Sequence, residues 1–194
     1  MKFSTEPPDL PDCPPLVQRP SAHFDQRPEG EVISLLVIHN ISLPAGSFAS
    51  APQQDSYVDA LFCGKLDCQV HPDFHSLQGV RVAAHCVIWR DGSIFQYVPF
   101  ARRAWHAGQS TFAGRANCND FSIGIELEGG DNIPYTEQQY HSLVALSHYL
   151  LARYKDITPQ RIVGHCDIAP GRKTDPGPAF DWPAYHAALA SQRV

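Results

Sequence analysis

Three residues of kinds that bind a divalent metal stand far apart along the chain: His39 in LLVIH, His165 in RIVGH and Asp175 in GRKTDPGP. Zinc accepts both imidazole nitrogen and carboxylate oxygen, and a catalytic zinc commonly takes three protein ligands and leaves a fourth position for water. Ligands drawn from distant segments suit such a site better than a structural one, whose Cys and His usually come in tight local pairs. The types alone do not decide the matter. Ten His and 20 acidic residues offer many such triples, and a lone His at a strand end is more often a hydrogen-bonded structural residue.

The elements that must position these groups can be read from periodicity. ISLLVIH (33–39) is a short apolar run rich in β-branched residues and predicts a buried strand that stops at His39, with NISLPAG following as loop. RIVGH (161–165) predicts a second brief strand ending in His. A strand end is a rigid base for a side chain that must not wander. SYVDALFCG (56–64) reads as one short helix. AHCVIWRDGSIFQYVP (84–99) reads as a hairpin turning at Asp91-Gly92. FSIGIELEG (121–129) alternates, with Ile123, Ile125 and Leu127 on one face and Ser122, Gly124, Glu126 and Glu128 on the other.

YTEQQYHSLVALSHYLLARY (135–154) has helical spacing, and Thr136 with Gln139 forms a capping box. A final helix is predicted from Asp181, near its N-cap, to Gln192. The first 30 residues hold seven of the 17 prolines and read as an irregular arm packed on a domain of residues 31–194. The sum is a single α/β (α+β) domain with a central mixed sheet flanked by helices.

Five blocks, LLVIHNISLP, AHCVIWRDG, RRAWHAG, NDFSIGIELEG and GHCDIAPGRKTDPGP, together resemble the N-acetylmuramyl-L-alanine amidase type 2 family. The likeness is strongest to its cytoplasmic AmpD-type branch, the 1,6-anhydro-N-acetylmuramyl-L-alanine amidases, and runs from about residue 20 to 185. The resemblance implies one zinc ion held by His39, His165 and Asp175, with Glu126 and Lys173 as the catalytic pair. Lys173 and Asp175, two apart in an extended segment, would then face the same cleft. Zinc lowers the pKa of bound water to about 7 and polarises a carbonyl. Glu126 would take the proton and pass it to the leaving amine, and Lys173 would stabilise the oxyanion. Glu128, on the same strand face, is the rival base, with pairing to a nearby Arg as its structural alternative.

The substrate so implied is a small, soluble muropeptide carrying a 1,6-anhydro sugar, cut between the lactyl carbonyl of muramic acid and L-Ala. The setting is cytoplasmic recycling of the cell wall, with an indirect effect on β-lactamase induction. The stem peptide is acidic, and Arg81 and Arg115 could fork onto its carboxylates. The branch places a second peptide-binding Arg just before the Cys of CNDF, where this chain has Asn117 and Arg115 is the substitute. Asn40, Ala104, Trp105 and His106 map to the substrate cleft, with the Trp105 ring offering either an apolar face to a sugar or a core aromatic.

Other features bound the answer. The net charge of -5 gives no general attraction to nucleic acid or anionic lipid, so an acidic ligand must meet local cations. No apolar run has spanning length and the first 20 residues do not resemble a signal peptide, which predicts a cytoplasmic monomer with free thiols at its six Cys. CGKLDC (63–68), followed by His71 and His75, reads as a surface loop with reduced thiols before it reads as a second zinc site. Cys166 points away from its neighbour His165 on an extended chain.

Overall fold

The computed structural model describes residues 12–49 and 53–191; residues 1–11 of the arm and Gln192 of the last helix lie outside them. Ten strands follow in chain order: β1 Leu16–Gln18, β2 Phe24–Asp25, β3 Leu35–Ile41, β4 Cys86–Ile88, β5 Ile94–Gln96, β6 Arg103–Ala104, β7 Thr111–Phe112, β8 Arg115–Ala116, β9 Ser122–Glu128 and β10 Ile162–Gly164. The α-helices are α1 Tyr57–Phe62, α2 Glu137–Arg153, α3 His165–Ile168 and α4 Trp182–Ser191. A mixed six-stranded sheet has the order β1-β5-β4-β9-β3-β10, and β4-β5 is its antiparallel pair. Two small ribbons, β2-β6 and β7-β8, lie outside it.

The alternation of β9 and β3 sorts the sheet into two faces. Leu36, Ile38, Ile123, Ile125 and Leu127 pack against Leu143, Leu146 and Leu150 of α2 and Tyr185 and Leu189 of α4. Burying an aliphatic side chain of this size contributes about 1.5–3 kcal/mol, so this layer is the main source of stability. The other face is covered by Ala107, Cys118, Phe121 and Ile168 over Leu35 and Val37, and by α1 over Val87 and Phe95. Both faces of β9 are therefore buried, including the one with Ser122, Glu126 and Glu128. Its polar side is the floor of a cleft rather than a solvated surface.

Local chemistry sets the element ends. The backbone N–H of Gln139 donates to Thr136 Oγ1 at 3.1 Å, while Gln139 Oε1 accepts from the Thr136 N–H at 3.1 Å, completing the capping box. Asp181 Oδ1 accepts from the Ala184 N–H at 2.9 Å and starts α4. Gly92 turns the β4-β5 hairpin at φ +84, where a Cβ would lie 2.9 Å from the Gln138 carbonyl oxygen.

Three expectations are corrected. β3 continues through His39 and Asn40 to Ile41 because all seven residues pair with β9, so His39 sits inside the strand. β10 ends at Gly164, and His165 opens α3, whose Asp167 carboxylate accepts from the Gly164 N–H at 2.7 Å. Part of the arm is also regular. Leu16–Gln18 form β1, a parallel edge strand whose ladder is supplied by the otherwise open side of β5. Among the described residues no helix is long and apolar enough to cross a membrane.

Candidate active site

Parallel register assembles the centre. His39 on β3 pairs with Glu126 on β9, one position beyond the Ile38–Ile125 pair. Gly164 on β10 pairs with Ile38 from the other side, so the next residue, His165, arrives beside His39. Neighbouring strands lie about 4.8 Å apart, which puts Glu126 and His39 side by side on β9 and β3, with His165 next to them at the start of α3. Asp175 completes the group from the loop after α3, where its carbonyl oxygen accepts from the Cys166 N–H at 3.0 Å.

The donor atoms form a triangle. His39 Nδ1, His165 Nδ1 and Asp175 Oδ2 are each 3.0 Å from the other two. An edge of this length lets all three sit about 2.0–2.2 Å from a single ion, as zinc requires. Among the described residues this is the one group of His, Cys and acidic side chains gathered closely enough to hold a metal, and Cys63, Cys68, His71 and His75 form no second one. Burial pushes His39 down to about 4, keeping its nitrogen free to ligate. Burial opposes ionisation of Asp175 as well, but hydrogen bonds from His165 and His39 outweigh it and hold the carboxyl below the usual range.

The triangle opens into a cleft of about 210 Å³ lined by Asn40, Phe62, Trp105, His106, Glu126 and Lys173, among others. Glu126 is 8% exposed, and its Oε2 is buried with no hydrogen-bond partner among the described residues. Burial, then the Asp175 charge, raises its pKa well above the ordinary value, while Lys173 pulls it back. Glu128, two residues on, faces a separate cavity, and its carboxylate accepts from the backbone N–H groups of Ala49 at 2.6 Å and Arg90 at 3.3 Å. Lys173 and Asp175 do share the cleft, but by a different route than strand alternation. The Lys173 and Arg172 N–H groups both donate to the Ala169 carbonyl, winding the segment into turns.

The expected substrate residues divide. Trp105 lines the cleft, with the Arg81 guanidinium 5.0 Å over its ring and His23 stacked at 6.3 Å. Asn40 also lines it, but its amide donates to Asp131 Oδ1 at 2.8 Å and to the Pro176 carbonyl at 3.1 Å, tying the Asp175 loop to β3. Ala104 is fully buried behind the wall. Arg115 is not brought to the cleft. It is ion-paired with Glu31, and its guanidinium lies 4.2 Å over the Phe121 ring. Asn117 takes a left-handed backbone at φ 60, which Asn tolerates better than Arg.

Arg172 was not singled out by spacing. Its Nη2 donates to the carbonyls of Ala107 at 2.7 Å and Gln109 at 2.6 Å, and the same Ala107 oxygen is 3.0 Å from His165 Nε2. Only its place beside Lys173 hinted at a part in the site.

A mixed sheet presents a metal-type donor triangle, an unpartnered buried carboxylate and a lysine in one cleft, an arrangement suited to metal-assisted hydrolysis. The sequence profile of the N-acetylmuramoyl-L-alanine amidases matches residues 25–178. The 1,6-anhydro-N-acetylmuramyl-L-alanine amidase AmpD of Salmonella typhimurium is 54% identical over 184 residues, covering 93% of this chain and 95% of that protein. A crystal structure of a selenomethionine derivative of AmpD superposes with a TM-score of 0.85 at 51% identity, covering 93% of this chain and 98% of that one. The Escherichia coli amidase AmiD, in complex with the substrate anhydro-N-acetylmuramic acid-L-Ala-D-gamma-Glu-L-Lys, superposes with a TM-score of 0.59 at 28% identity, over 84% of this chain and 60% of that one. The chain belongs to the N-acetylmuramoyl-L-alanine amidase family.

Proposed function

We propose that this protein is a zinc-dependent amidase that cuts the bond between the lactyl group of 1,6-anhydro-N-acetylmuramic acid and the L-Ala of a soluble stem peptide, in cytoplasmic recycling of the cell wall. The observation that carries the reading is the 3.0 Å triangle of His39 Nδ1, His165 Nδ1 and Asp175 Oδ2 beside a buried carboxylate oxygen that has no other partner. The relatives' names and the AmiD substrate supply the chemical class of the ligand. Free thiols at all six cysteines suit a reducing compartment.

His39, His165 and Asp175 hold the ion. When bound, zinc supplies Lewis acidity and a nucleophile at neutral pH by lowering the pKa of water to about 7. Glu126 accepts the nucleophile's proton at Oε2 and delivers it to the leaving L-Ala nitrogen, so that the departing amine leaves neutral. Its burial supports this role, since a carboxylate with a raised pKa is a stronger base than one in water. Lys173 stabilises the oxyanion as the carbonyl becomes tetrahedral. Arg81, exposed beside Trp105, meets a carboxylate of the acidic stem, and the wall of Trp105 shields the reacting amide from bulk water. Accumulating muropeptide when the enzyme is lost would link it to β-lactamase induction.

The test uses the purified full chain on a soluble anhydro-muropeptide and on intact sacculi. Hydrolysis of the soluble substrate should stop with EDTA and return with zinc, and Asp175→Ala should bind no zinc at micromolar concentration. Activity indifferent to chelation would remove the metal reading. Preference for intact sacculi would move the enzyme from recycling to wall lysis, and binding without hydrolysis would make it a recognition protein.

A further inference from the structure

His106 lines the cleft, yet neither of its ring nitrogens is available there. Nδ1 is 2.9 Å from His39 Nε2, and Nε2 is 3.0 Å from Ser122 Oγ. Only ring carbon is left to face a substrate. The two imidazoles of the donor triangle are thus backed differently. His165 Nε2 points at a backbone carbonyl, that of Ala107, at 3.0 Å, whereas His39 Nε2 points at another side chain. A carbonyl can only accept. An imidazole can accept or donate, so His39 has a defined tautomer only if the tautomer of His106 is itself defined.

Gly124 and Ser122 seat the ring from the β9 side. They lie on the same face of β9 as Glu126, under the His106 ring. A Cβ on residue 124 would collide with that ring, so Gly124 is the notch that admits it. The Gly124 backbone carries no left-handed strain, so space is the reason for glycine at this position. Ser122 then meets the far nitrogen. Ser122 Oγ can donate or accept, so the chain can run either way: without an ion, His39 Nδ1–H can donate to Asp175 Oδ2, whereas an ion at Nδ1 requires His39 Nε2–H to donate to His106 Nδ1 and His106 Nε2–H to donate to Ser122 Oγ.

We propose that His106 is a positioning residue, seated by Gly124 and anchored by Ser122, which accepts the His39 Nε2–H and so supports the tautomer whose bare Nδ1 ligates an ion beside His165 and Asp175. The inference rests on the metal reading above. A neutral imidazole must present a bare nitrogen to a metal, and the group on its other nitrogen selects which one. Without His106, the His39 Nε2–H loses its acceptor, and the tautomer that points Nδ1–H at Asp175, unable to ligate, gains weight.

The experiment measures the zinc dissociation constant of the full-length protein by competition with a chromophoric chelator. His39 ring nitrogen shifts are recorded by ¹⁵N NMR on the zinc-free protein. His106→Ala is expected to weaken zinc binding by about 10–100-fold, the usual effect of losing such a partner. It should also shift zinc-free His39 toward the tautomer with Nδ1–H on Asp175. His106→Asn, whose Oδ1 can accept in place of Nδ1, should restore most of the affinity. Gly124→Ala should reproduce the loss while leaving His106 in the sequence. Melting of each zinc-free variant separates lost folding from lost binding, and if His106→Ala does not fold, Ser122→Ala decides. Wild-type zinc affinity in His106→Ala with an unchanged His39 tautomer would overturn the proposal. Failure of the wild-type protein itself to bind zinc would instead remove the metal reading, and this inference with it.

Discussion

Two glutamates two residues apart on one face of β9 have different fates, and the difference lies in what their oxygens touch. Glu128 is satisfied by two backbone N–H groups, at Ala49 and Arg90, so its carboxylate is part of the frame. Glu126 has an oxygen with no partner at all among the described residues, a costly state for a buried polar atom unless chemistry uses it. Glu126→Gln should therefore bind zinc as the wild type does and lose about 10²–10⁴-fold in turnover. Glu128→Gln should lower the melting temperature and leave turnover within about tenfold of normal. Steady-state kinetics on both variants, with zinc content measured alongside, checks the pair; a dead Glu128→Gln with normal zinc and normal melting would reverse the roles. Alternation along FSIGIELEG placed both residues on the site face. Which of them is the base was not legible there, because the neighbours that distinguish them come from residues 49 and 90.

Among the elements, α2 does more than cover the sheet. Gln139, in its first turn, is fully buried, and its Nε2 donates to the Ile88 carbonyl at 3.1 Å and the Glu128 carbonyl at 2.9 Å. One side chain thus caps its own helix and joins β4 to β9 at the end of the strand that carries Glu126. Gln139→Leu keeps the volume but takes the Gln139 donor from two carbonyls, of which Glu128's keeps a 3.5 Å bond from Arg90 Nη1, and removes the acceptor of the Thr136 N–H, so it should cost about 1–3 kcal/mol. Urea unfolding should show this as a lower midpoint with an unchanged slope; a midpoint within error of the wild type would show that water replaces the lost donor. The capping box was readable from Thr136 and Gln139 alone, being a contact three residues long. The bridge to β4 and β9 was not, because it spans 51 and 11 residues.

At the scale of the molecule, the N-terminal segment is woven through the domain. β1 extends the sheet, Arg19 pairs with Asp59 at 2.5 Å, and Asp25 holds Arg103 at 2.6 Å. Arg27 reaches furthest. Its Nη1 donates to the carbonyls of Asn119 at 3.0 Å and Asp120 at 2.8 Å, and its Nη2 to those of Phe100 at 3.2 Å and Ser122 at 2.8 Å. Ser122 is the residue on which His106 rests, so the arm braces the back of the site. Burial pulls the Arg27 guanidinium down to about 10, still charged at neutral pH. Arg27→Met should cost on the order of 3 kcal/mol by orphaning these carbonyls. A chain beginning at residue 31 should be less stable still. Chemical denaturation of both compares them with the full chain, and equal stability of the shortened chain would restore an independent domain of residues 31–194.

The sequence by itself determined what short-range pattern can encode. Apolar runs and alternation located the main strands of the sheet, helical spacing and caps located α1, α2 and α4, and the ordered blocks around His39, Glu126 and His165 identified the family. Only the folded chain decided which groups meet. Parallel strands have no local turn to set their register, so the meeting of Glu126, His39 and His165 depends on crossovers tens of residues long. The same holds for Arg115, which pairs with Glu31 away from the cleft. It holds equally for His106, whose two nitrogens are claimed by His39 and Ser122. Side-chain chemistry is a property of the residue, but its partners are a property of long-range packing, and only the three-dimensional arrangement holds that information.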